Sequence, residues 1–260
     1  MSDHIRYEVA DGIATITIDR PEKRNAMTYA MLGEFLDTVA RAGADDDARV
    51  VIVTGSGGAF CAGTDLADLA TIPGETRGVR GEAHEGDKWW PLVSCPKPVI
   101  GAIDGPAVGM GAEFSSQCDV RIASTRARFA WNFAHRGLVP DTGAGSWLLP
   151  RLIGHQRALR LLYSGEFLSA NEALTIGYVA AVVDPDDLLD VARAEAERYL
   201  LGSPHSHRRI KELVYGGLER DVADHMAAHV DALTACFRSA DHAEGVAAFL
   251  ERRAALFTGR

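Results

Sequence analysis

With 260 residues, 47% of them hydrophobic and 24% charged, the chain has the composition of a globular protein built as one large domain, or one domain with a small appendage. Its formal charge of −9 and the lack of a basic stripe argue against a nucleic-acid partner. No run approaches the ~18 apolar residues of a membrane helix, and "MSDHIRYEVADG" has no basic start followed by an apolar run, so neither a membrane partner nor a secretory leader is expected. Four widely spaced cysteines, Cys61, Cys95, Cys118 and Cys236, form no CxxC; they read as buried thiols of a cytoplasmic protein with no metal site.

In chain order, "IATITID" (13–19) alternates and is β-branched, which predicts a strand. "RPEKRNAM" reads as a turn, and Thr28 as the cap of a helix whose apolar face is Leu32, Phe35, Leu36, Val39 and Ala40. "VVIVTG" (50–55) is a buried strand that ends in the glycine-rich "GSGGAFCAG". The polar, glycine-containing stretch 71–88 predicts a mobile loop that orders over a ligand. "KPVIGAIDG" (97–105) is a further buried strand. It runs into "PAVGMGAEFSSQCD", glycine-rich first and helical after. "DVRIAS" (119–124), "ARFAW" (127–131) and "YVAAVVD" are shorter strands. Ser169 and Glu172 form a capping box, and from about residue 142 the chain is mostly helical. Strand–helix alternation followed by helices predicts an α/β core with parallel strands and a helical tail. That tail is amphipathic, so its apolar side must be covered by the core or by another subunit.

Two buried strands each end in glycine followed by a helix start. A helix start offers unpaired N–H groups and a partial positive charge, and glycine lets a ligand come close. Two such turns side by side can aim two N–H donors at one oxygen; tight strand–helix connection is the plainer reading of either alone. Neither turn has the spacing of a phosphate loop or a dinucleotide fingerprint. In "WNFAHRGLVPDTGAG" (131–145) a single carboxylate, Asp141, follows a run of apolar and basic residues. Composition alone makes it a turn residue that caps the next helix.

Taken together, "RPEKRNAM", "GGAFCAGTDLADL", "KPVIGAIDGPAVGMGAEFSSQCDVRIAS", "GLVPDTGAGSWLLPRLIG", "SANEALTIGYVAAVV" and "EGVAAFLERRAALF" resemble the crotonase family, the enoyl-CoA hydratases and isomerases, in order and over nearly the whole chain. The resemblance implies a ββα spiral core over residues 1–200 and C-terminal helices over 201–260 that build a homo-oligomer, a trimer or a dimer of trimers. It implies an acyl-CoA thioester substrate, with coenzyme A entering as part of that substrate and no prosthetic group. The reaction would pass through an enolate whose oxygen is held by the backbone N–H groups of Thr64 and Met110. Lys23, Arg24, Ala26 and Ala62 would contact the CoA moiety, with Phe257 and Arg260 contributed from a neighbour's C-terminal helix.

The same resemblance supplies acid–base groups and one departure. Glu113 matches the first glutamate of the family's hydratases. The second falls at Phe133, which cannot deliver a proton. Asp141 matches a position where some dienoyl-CoA isomerases and ring-type isomerases carry a catalytic aspartate, and that reverses the composition-based preference. Aromatic residues Trp89, Trp90, Trp131 and Phe133 would wall a pocket for a bulky or ring-bearing acyl group. Expected outcomes are therefore isomerisation or hydration of an enoyl-CoA. Thioester hydrolysis or ring opening in the same pocket, and a non-catalytic acyl-CoA binding protein, are the competing readings.

Overall fold

The computed structural model describes residues 4–71 and 90–260. Nine strands, β1 (Ile5–Ala10), β2 (Ile13–Ile18), β3 (Val50–Gly55), β4 (Val99–Ile103), β5 (Pro106–Val108), β6 (Val120–Ser124), β7 (Arg128–Ala130), β8 (Leu168–Ser169) and β9 (Ala181–Val183), are among them. They alternate with helices α1 (Tyr29–Ala44), α2 (Leu66–Thr71), α3 (Pro91–Ser94), α4 (Met110–Gln117), α5 (Ala144–Ile153), α6 (His155–Ser164), α7 (Ala170–Thr175) and α8 (Leu188–Leu200), followed by α9 (Pro204–Gly216), α10 (Val222–Phe237) and α11 (Ala240–Glu251). The larger sheet runs β1-β2-β3-β4-β6-β9, and the smaller runs β5-β7-β8. As the alternation predicts, β2, β3, β4, β6 and β9 are parallel. Strand β1 adds an antiparallel edge that the sequence reading passed over.

Strands β3 and β4 are buried almost end to end, as parallel strands covered on both faces must be. Successive residues face opposite cores. Val51 and Val53 join Met31, Phe35 and Val39 of α1 and Phe114 of α4 on one side. Val50 and Ile52 join Leu188, Ala192 and Ala196 of α8 on the other. The Thr28 hydroxyl accepts the Met31 N–H at 3.2 Å, which makes it the cap of α1. The buried stripe of that helix is Met31, Phe35, Val39 and Ala42. This corrects the expected face: Ala40 is exposed, and Leu32 and Leu36 are half-buried, because the steps of four and three from Met31 already make a continuous stripe. The capping box of Ser169 and Glu172 is formed.

The expected division at residue 200 falls between α8, which ends at Leu200, and α9, which begins at Pro204. Lys211 of α9 ties it to the core by donating to the Leu92 carbonyl (2.8 Å), and it pairs with Asp119 (2.8 Å). Neither α9 nor α10 has a fully buried residue in this protomer. Val222 is 81% and Phe249 82% exposed, so the apolar side of this tail is left uncovered by the chain's own core.

Candidate active site

The two glycine-rich turns lie back to back. Cys61 bridges Ala107 of β5, with its N–H donating to the Pro106 carbonyl (3.1 Å) and its carbonyl accepting the Val108 N–H (2.9 Å). Gly111, one residue into α4, has no room for a side chain, because a Cβ there would overlap the Cys61 carbonyl. Gly63 has a φ of +98°, and a Cβ on it would lie 2.9 Å from the Val108 carbonyl and 3.7 Å from the Met110 nitrogen. Glycine at these positions lets the turn before Thr64 press against the turn that starts α4. Met27 engages the Gly63 carbonyl and the Asp65 N–H, so the bridge between Met27 and Thr64 does not use the Thr64 N–H. Met110 is the first residue of α4, where an amide has no intrahelical acceptor. The Thr64 and Met110 N–H groups thus lie on adjoining turns.

Glu113 stands one turn into the same helix and has no solvent exposure. Its Oε2 accepts the Thr142 hydroxyl at 2.7 Å. Burial pushes the carboxyl up to about 7; the Thr142 hydroxyl and the Gly145 amide oppose the shift, and the charge of Asp141 adds to it. A carboxyl poised there can take or return a proton at neutral pH. Gly145 makes the placement possible, because a Cβ on it would overlap Glu113 Oε1. Sequence reasoning missed both Thr142 and Gly145. The available signal was the run of small residues after Asp141, which brings backbone close to whatever α4 presents.

Asp141 is exposed, on the loop before α5. Its charge raises the pKa of Glu113 and of Cys61 slightly, behind the dominant effect of burial on each. The cap position of α5 is Gly143, and the Ala144 N–H is received by the Thr142 hydroxyl. The Cys61 thiol is buried and pushed up to about 12, which leaves it inert as a nucleophile. Phe133 is buried against the second turn, its ring 3.8 Å from where a Gly109 Cβ would sit. Trp90 donates its indole N–H to the Thr142 carbonyl at 3.0 Å and so joins the site. Trp131 is fully buried, edge-on to Tyr178 and packed close to Gly145. Trp89 and residues 72–88 of the expected loop lie outside the described residues; Thr71 closes α2.

Lys23 and Arg24 are exposed on a turn that packs on the first glycine-rich segment. The Ala62 N–H donates to the Arg24 carbonyl (3.0 Å), and the Ala26 N–H to the Lys23 carbonyl (3.0 Å). Buried Asn25, with a φ of +58°, pins the turn through its amide to the Ser56 (2.9 Å) and Ala59 (2.6 Å) carbonyls. Arg20 pairs with Asp65 at 2.7 Å and holds that carboxyl below its usual range. Lys23, Arg24, Ala26 and Ala62 are therefore grouped. Phe257 and Arg260 are not joined to them by any hydrogen bond among the described residues. Their segment folds back on α11, where Asp241 accepts the Thr258 and Gly259 N–H groups and Phe257 packs on Gly245.

Comparison with known proteins bears on the family and the fold. The family model for enoyl-CoA hydratase/isomerase matches residues 8–260. The chain is 38% identical to a probable enoyl-CoA hydratase of Rhodobacter capsulatus and 36% identical to the 1,2-epoxyphenylacetyl-CoA isomerase of Escherichia coli, over the full length of each. The crystal structure of an enoyl-CoA hydratase from Bacillus anthracis superposes with a TM-score of 0.91 at 31% identity, covering 99% of this chain and all of that one. The chain belongs to the crotonase family of enoyl-CoA hydratases and isomerases.

Proposed function

We propose that this member of the family is an isomerase that moves a double bond in an enoyl-CoA through an enolate. The observation that carries the reading is a buried, neutral-poised Glu113 within reach of the charge of Asp141 while phenylalanine fills position 133. The thioester carbonyl oxygen sits between the Thr64 and Met110 N–H groups. One carboxylate takes a proton from C4 of a 2-enoyl thioester, and the electron pair shifts through C3 to the carbonyl oxygen. The two N–H groups stabilise that developing charge. A proton delivered to C2 from the second carboxyl completes the shift, with the double bond now between C3 and C4. No nucleophile and no water are consumed, so a second glutamate is not needed. Hydration is the reading favoured by the names of several relatives; here it requires Glu113 or Asp141 to orient water alone.

Lys23 and Arg24 are exposed cations suited to the phosphates of CoA, with Ala26 and Ala62 leaving space beside them. The uncovered apolar faces of α9 to α11 support a homo-oligomer built through residues 201–260, and Phe257 and Arg260 would then reach a neighbour's CoA site. Asp141→Asn tests the assignment: turnover of the enoyl-CoA substrate falls by at least about a hundredfold, while affinity for CoA is kept. Unchanged turnover removes Asp141 from the mechanism and revives the non-catalytic binding protein.

A further inference from the structure

A cavity of about 450 Å³ opens between α1, α3 and α4, with walls that include Leu32, Leu36, Cys95, Phe114, Gln117 and Thr142. Thr142 is the residue whose hydroxyl holds Glu113, so the cavity reaches the acid–base site. Gln117 lies four residues after Glu113 on α4, which places it one turn further along the same side of the helix. It has no solvent exposure, and both its Oε1 and its Nε2 lack a hydrogen-bond partner. A buried primary amide with neither atom satisfied is unfavourable, and a leucine or methionine of similar volume would fill the place without that cost. Chemistry that answers both atoms is one oxygen able to accept from the N–H and donate to the C=O. A small number of placed polar groups in an otherwise apolar cavity is how a ligand pocket sets specificity.

We infer that this cavity holds the distal part of the acyl group and that Gln117 selects an acyl chain carrying a hydroxyl there. The inference rests on the enoyl-CoA reading above. Four residues of helix rise about 6 Å, which an extended alkyl chain spans in about five carbon–carbon bonds. Counted from C2, with Glu113 as the carboxyl that returns the proton there, the favoured oxygen is on about C7.

The probes are oct-2-enoyl-CoA and 7-hydroxyoct-2-enoyl-CoA for turnover, and the two matching saturated thioesters for binding. Wild-type protein is expected to prefer the hydroxylated member of each pair by about tenfold, and Gln117→Leu to erase or reverse that preference. Gln117→Met, which keeps the unbranched shape, serves where the leucine variant does not fold. Equal treatment of the pair by the wild type, or an unchanged preference in a folded variant, overturns the subsite. The two readings fail separately. Selective binding with no turnover of either enoyl thioester sinks the enzymatic reading and leaves the subsite standing. Turnover of both probes without selectivity does the opposite.

Discussion

Replacing Glu113 with glutamine takes away a carboxyl that has no solvent exposure and keeps a side chain of nearly the same shape. The folded protein holds this carboxyl at about 7, against 4.5 for the group in water. That difference corresponds to roughly 3 kcal/mol of linked stability, since each pKa unit is ~1.4 kcal/mol. The sign follows from proton binding. A group held above its unfolded value binds its proton more tightly in the folded state. Its contribution is therefore complete below about pH 4.5, declines as the pH rises, and is gone above about pH 7. Glutamine cannot ionise and loses nothing over this window. Between pH 4.5 and pH 8 the stability of Glu113→Gln should thus gain roughly 3 kcal/mol on the wild type, or about 6 °C in melting temperature for a chain of this size. Other titrating groups are common to both proteins and cancel in the difference. Parallel thermal melts at matched protein concentration across that pH range measure it. Curves that stay a constant distance apart would refute the buried, proton-holding Glu113.

Three further outcomes follow from the same site. Thr142→Val removes a hydroxyl that favours the charged form of Glu113, so the limb of the kcat/KM profile set by Glu113 should move up by about one pH unit; Thr142→Ser should leave it in place. Gly145→Ala puts a methyl where Glu113 Oε1 now lies and should lower kcat by about a hundredfold with little change in CoA affinity; full activity would show that the carboxylate position is not what matters. Phe133→Glu introduces an acid beside the second turn and should raise the rate of crotonyl-CoA hydration. No gain in a spectrophotometric hydration assay would mean that something other than the missing acid limits it.

The parts of this account that were legible in the sequence are those governed by local rules. Period-two and continuous apolar runs marked β2, β3, β4 and β6 within two residues of their ends. Thr28 and Ser169 marked helix starts because their hydroxyls serve the backbone three residues on. What escaped depends on long-range approach. Strand β1 alternates half-buried and exposed residues, with none fully buried, and pairs at an edge, so its apolar signal is weak. Strand β5 spans three residues inside a glycine-rich turn and exists because it hydrogen-bonds to Cys61 and pairs with β7. Glu113 and Asp141 were visible as residue types, but their interaction was not. It depends on Thr142 and Gly145 closing over α4, and on Trp90 holding the Thr142 carbonyl. Gln117 gave no sequence signal, because an isolated glutamine at the end of a short helix is ordinary until its amide is found buried and unpartnered.

The most direct test is incubation of the protein with 2-enoyl, 3-enoyl and aryl-acyl CoA thioesters in deuterated water, with products read by mass spectrometry. Proton transfer between Asp141 and Glu113 through an enolate predicts deuterium incorporation or a shifted double bond without added water. A product whose mass has increased by one water, with no exchange into recovered substrate, would contradict the isomerase reading and make Glu113 the base of a hydratase that works with phenylalanine at position 133.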